Sequence, residues 1–146
     1  ASLLPTIVSR ARVLHFDRVP DAVMTPLVQH MSREDQAFVI HVSQGAPGAV
    51  ITLAHDPDAL REERLMHGQA RSVWGSISLS ERLRVLAPLA EKGKQTDRFL
   101  VHLALTLRES PVMTVERAAA FRRLVLRLQT NAYKPLIVQE FALGID

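Results

Sequence analysis

The 146 residues contain no cysteine. That excludes a disulfide scaffold and a thiolate zinc site, and it fits a reducing cytosol. Aromatic residues are scarce at 5%, so the core has to be built from Leu, Val, Ile and Ala, which suits helix packing. No apolar run approaches the roughly 20 residues needed to cross a bilayer. No signal-peptide pattern is present either, and no membrane partner is expected. Neither sign of charge dominates: 18 Lys and Arg face 15 Asp and Glu, a net +3. Such a balance permits a nucleic-acid patch without demanding one. Enzyme signatures are missing too. None of the six histidines stands four residues from another, and no glycine-rich loop ends in Lys-Ser or Lys-Thr. Gly75-Ser-Ile-Ser-Leu79 lacks the second glycine of a nucleophile elbow. A self-contained active site is not expected.

What the chain does have is an ordinary globular composition, 47% hydrophobic and 23% charged, and an odd beginning. Residues 1–16 read as a short turn of helix, the pair Ser9-Arg10, and a buried-type strand from Arg12 to Phe16. Everything after it reads as helix. One strand has no ladder partner, so the chain reads as the back half of something larger, and the missing initiator Met agrees. Arg10, at a helix-to-strand junction, is the first candidate for chemistry.

The expected fold is all-α with that one orphan strand. Three short helices are predicted first: one through Val23, Leu27, Val28 and Met31; one capped by Ser32 and ending near Gly45; one over Ala49 to Ala54. Asp56-Pro57 marks a boundary and opens a long helix through Leu60, Met66, Ala70, Val73, Trp74 and Ile77. Ser78-Leu-Ser-Glu81 fits a capping box for a helix through Leu83, Leu86 and Leu89. Asp97 to Arg108 is apolar nearly all round and is expected at the centre of a bundle. Thr114 caps a helix burying Ala118, Phe121, Leu124, Val125 and Leu128. Its outer face carries Arg117, Arg122, Arg123 and Arg127, read as a solvated face balanced by Glu109 and Glu116. Pro135 opens the last helix, through Leu136, Ile137, Phe141 and Leu143. Trp74 is expected in the core, and His15 and His41 as partly buried, hydrogen-bonded histidines.

Three stretches together resemble the clamp-loader branch of the AAA+ ATPases. Leu3-Leu-Pro-Thr-Ile-Val-Ser-Arg-Ala11 is similar to the leucine-proline-threonine helix and Ser-Arg-Cys motif of that family. Ser43-Gln-Gly-Ala-Pro-Gly-Ala-Val-Ile-Thr-Leu53 is similar to the turn of its lid domain. Leu128-x-x-Asn131 through Leu136-Ile-Val-Gln-Glu-Phe141 resembles its final collar helices. The resemblance implies three parts: residues 1–16 as the end of an ATPase domain, 17–55 as a helical lid, and 56–146 as a helical collar that joins subunits. It implies that Arg10, supported by Ser9, is an arginine finger reaching the ATP of a neighbouring subunit, where a cation stabilises charge on the transferring phosphate.

The motif's cysteine is Ala11 here, which leaves the finger's charge intact. The lid turn is followed by Ala49 where hydrolysing relatives carry a sensor arginine, and Arg61 comes too late to replace it. The resemblance is therefore to the subunit whose own site does not hydrolyse ATP. No cofactor is expected in this stretch, since ATP would sit in neighbouring subunits. The implied partners are the other loader subunits and, through them, the sliding clamp and primed DNA in a bacterial cytoplasm, as part of the DNA polymerase III holoenzyme. A motor subunit or other AAA+ relative, and an unrelated helical adaptor or DNA-binding domain, are the alternatives.

Overall fold

The structure is a computed structural model. It describes residues 17–145 except 76, 77, 92 and 112, with Lys94 as backbone only. Ser9, Arg10, Ala11, Ile77 and the expected strand at 12–16 with His15 lie outside the described residues. Among those described there is no strand. Eight α-helices and two 3-10 turns follow in order: α1 (Asp21–Met24), η1 (Thr25–Val28), α2 (Arg33–Ser43), α3 (Pro47–His55), α4 (Pro57–Val73), α5 (Leu79–Leu86), η2 (Ala87–Ala90), α6 (Lys94–Glu109), α7 (Val115–Leu128) and α8 (Lys134–Leu143). They form two compact units, divided between His55 and Asp56.

In the first unit, the helix expected to continue to Met31 stops at Met24. Pro26 has no N–H to donate and crowds the turn before it, so the chain tightens into η1. Ser32 caps α2, its hydroxyl accepting from Asp35 N at 3.1 Å. The turn from α2 to α3 passes through two left-handed residues, Gln44 (φ 49°) and Gly45 (φ 79°). Gly45 is required there twice over. Its φ disfavours a side chain, and an added Cβ would lie 2.6 Å from Arg18 Cβ. The entering segment holds the turn: Val19 N donates to Gly45 O at 2.9 Å, and Arg18 Nη1 donates to Gln44 Oε1 at 3.1 Å. Met24, Val28, Val39, Val50 and Leu53 are buried. His41, expected to be partly buried, is exposed.

The second unit opens where Asp56 Oδ1 accepts from Asp58 N and Ala59 N, each at 3.0 Å, and Pro57 takes the first helical position. α5 is shorter than its apolar spacing suggested. It ends at Leu86, and Pro88 turns the chain into η2, which still buries Leu89. α4 and α6 run parallel, since Glu63 meets Arg98 near their starts and Arg71 meets Glu109 near their ends. α7 and α8 form an antiparallel pair, with Arg127 on Glu140 across their connection. α8 packs on α5, η2 and α7. One core joins these helices, with Met66, Trp74, Leu86, Leu103, Leu124, Ile137 and Phe141 among its members.

One burial expectation was wrong, while Leu124 and Leu128 are buried as expected. On α7, Ala120 is inside and Ala118 is exposed. On α8, Leu136 and Leu143 are exposed while Val138 and Ala142 are buried. Helix α6 also differs from the expectation of an apolar surface all round. It buries Phe99, Leu103 and Leu107, yet its buried residues include His102 and Thr106, and Val101 faces out.

Candidate functional site

Trp74 anchors the second unit where α4 ends. Its indole N–H donates to Thr106 Oγ1 at 3.0 Å and Leu103 O at 3.2 Å. Phe121 and Phe141 meet its ring edge-on, with centroids 6.1 and 5.9 Å away. Arg82, only 3% exposed, donates to Ala142 O at 2.7 Å and so covers a carbonyl at the end of α8.

Among the described residues of the second unit, a polar cluster runs between α4 and α6. Glu63, His67 and Arg71 recur every fourth residue on α4. Arg98, His102, Thr106 and Glu109 recur at nearly that spacing on α6. The two stripes meet, with His67 and His102 buried at their middle and Arg71 exposed at one end. Glu63 accepts from Arg98 Nε at 2.9 Å, from Arg98 Nη2, and from His102 Nε2. Arg98 also reaches Glu62 at 3.5 Å. His102 Nδ1 lies 3.3 Å from His67 Nδ1, and the rings meet at 80°. His67 Nε2 lies 3.6 Å from Glu109 Oε2, which also takes a 2.8 Å bond from Arg71.

These partners set the electrostatics of the row. Burial pushes the Glu63 carboxyl up, but the bonds and charges of His102 and Arg98 outweigh it and hold the group below the usual carboxylate range. Arg98 is pushed up in turn, chiefly by its bond to Glu63. The partners also order the tautomers. A carboxylate can only accept, so His102 donates from Nε2. Its Nδ1 is then an acceptor for the Nδ1–H of His67.

Arg71 and Glu109 carry this row to a cleft of about 560 Å³ whose walls also include Trp74, Ser110, Pro111 and Arg117. Arg117 points inward, donating to Trp74 O at 3.0 Å. Arg127 pairs with Glu140. The outer face of α7 is thus left with Arg122 and Arg123 as its exposed arginines. Glu109, expected to balance that face, serves Arg71 instead. Ala49 lies in the first turn of α3, and Arg61 is an exposed partner of Asp58 at 2.6 Å. Among the described residues no group of His, Asp and Glu is arranged to hold a metal ion, and no helix is long and apolar enough to cross a membrane.

No protein-family model matches the chain, and neither a curated protein nor a solved structure does.

Sequence reasoning did not find the row. Its partners are 35 to 42 residues apart, and each histidine alone resembles any core histidine. The signal that could have found it is the four-residue recurrence of Arg98, His102 and Thr106 inside an otherwise apolar helix.

Proposed function

We propose that the chain is the C-terminal part of a clamp-loader subunit of delta-prime type. In this reading residues 17–55 are the lid and 56–146 the collar that binds neighbouring subunits. Ser9 and Arg10 present a finger to the ATP of a neighbour. The observation that carries the reading is the turn at Ser43–Gly48. The stretch similar to the family's lid turn joins two helices through a left-handed Gln44–Gly45 pair, against which Arg18 packs too closely for any side chain at Gly45. Exposed apolar side chains in the second unit support an assembly role. Leu136 and Leu143, 55% and 61% exposed, stand seven residues apart and so on one face of α8. Large apolar side chains left in water at that spacing suit a helix–helix contact between subunits.

The test is Arg10→Ala in the full-length subunit, reconstituted with its loader. Assembly should be intact, and ATP turnover should fall at one neighbouring site. A finger contributes on the order of 10³–10⁵ in rate at the site it serves. Total ATPase should fall far less, because the other sites keep their own fingers. Arg10→Lys should rescue poorly, because a point charge lacks the planar fork. Arg12→Ala is the control and should change little. Unchanged ATPase and clamp loading in Arg10→Ala would remove the finger role.

A further inference from the structure

We propose that His67 and His102 form a one-proton latch between α4 and α6, which acid opens. They are the two histidines of the second unit, and both are buried, at 8% and 2% exposure. Histidine is the side chain that ordinarily changes charge between pH 5 and 8. All of this unit's histidine titration therefore passes through one buried contact.

The geometry distinguishes the proton counts. With both rings neutral, His102 donates to Glu63 and His67 donates to His102. The bare Nε2 of His67 then faces the Glu109 carboxylate at 3.6 Å, lone pair to lone pair. One added proton on that Nε2 turns the clash into an ion pair. Every ring N–H in the row then points at an acceptor. A second added proton has only His102 Nδ1 to go to. It would set N–H against N–H across 3.3 Å, inside the core.

The surrounding charges favour the middle state. From α4, Glu62, Glu63 and Arg71 face the row; from α6, Arg98 and Glu109 do. Of these, the Glu109 carboxylate beside His67 Nε2 favours the first added proton there. Arg64, also on α4, is engaged as well. Of the charged groups on the other packed elements, Arg122 and Arg123 are exposed on the outer face of α7 and Arg127 pairs with Glu140. On α5, Arg82 serves Ala142 O, and Glu81 pairs with Arg84. η2 has no titratable side chain. Arg117 of α7 serves Trp74 O.

The unfolded chain takes a proton on each histidine below about pH 6.5, whereas the latched state holds one for the pair. Unfolding then takes up nearly one proton, and stability must fall with falling pH. Between pH 6 and pH 5 the unfolding constant of the second unit should rise roughly five- to tenfold.

The test uses the whole 146-residue chain. Nitrogen-15 histidine spectra from pH 8 to 5 report which ring nitrogens carry protons. Urea titrations followed by Trp74, the sole tryptophan, report the unfolding constant. At pH 6 the spectra should show protons on His102 Nε2 and on both nitrogens of His67, with His102 Nδ1 bare. His102→Gln should remove the five- to tenfold step. The amide can donate to Glu63 and accept from His67, leaving one proton bound in either state. Full protonation of both rings at pH 5 with the fold intact would overturn the proposal, as would two neutral rings at pH 6. The wild-type spectra decide the matter even if the variant does not fold.

Discussion

Replacing Glu63 by glutamine should destabilise the second unit by about 1–2 kcal/mol at pH 7, and the loss should shrink in acid. Glu63 accepts from Arg98 and from His102. The Arg98 side chain is 40% exposed and retains Glu62, so solvent screening limits its share to about 1 kcal/mol or less. The His102 side chain is 3% exposed, and a buried bond to a charged group is worth roughly 1.5–3 kcal/mol. The glutamine carbonyl keeps one neutral acceptor, which restores about 1 kcal/mol of the total.

The pH dependence follows from the lowered Glu63 carboxyl. A group that ionises more readily when folded stabilises fully above its unfolded value, about 4.3. That contribution is lost as pH falls through the lower folded value. The glutamine variant carries no such contribution, so its gap from wild type should narrow as pH falls from about 5 toward 3. The assay is urea unfolding read by Trp74 fluorescence. A Glu63→Gln loss under about 0.5 kcal/mol at pH 7 would refute the reasoning, since that is the range of an uninvolved surface change. A loss of the same size at every pH would refute the ionic part.

Two further outcomes follow from single contacts. Gly45→Ala should destabilise the α2–α3 turn by about 1–2 kcal/mol from its left-handed backbone alone, with the approach to Arg18 added. Faster hydrogen exchange at the amides of α2 and α3 would register it, and unchanged exchange would argue against the turn. Arg82→Met keeps the packing of the stem but leaves Ala142 O without its 2.7 Å donor. It should cost about 1–3 kcal/mol, read as a lower urea midpoint of Trp74 fluorescence.

Much of the helical order was legible because caps and prolines are local signals. Ser32, Asp56, Ser78 and Thr114 each accept from a backbone N–H in the following turn, where the sequence placed a helix start. Pro26 and Pro88 carried the opposite signal, which the apolar spacing of Leu27, Val28 and Leu89 obscured. Their segments became 3-10 turns instead of longer helices. On α7 the burial of Ala120 instead of Ala118 was not legible because alanine fills the successive positions 118, 119 and 120, so periodicity alone does not choose among them. The row between α4 and α6 was hidden for a different reason. It depends on which helices pack together and in what register, and pairing of residues so far apart leaves no local mark. The arginine face misled in the same way: Arg117 and Arg127 have partners elsewhere in the unit, Trp74 O just past the end of α4 and Glu140 on α8.

The central claim is that this chain assembles into a clamp loader through its helical second part. Sedimentation of the full-length subunit mixed with the other subunits of its own loader tests it most directly. The account predicts one complex containing the subunit at micromolar concentrations. It also predicts that Leu136→Glu with Leu143→Glu releases the subunit from that complex while its far-ultraviolet spectrum stays helical. A subunit that sediments alone beside the fully assembled remaining proteins would contradict the account.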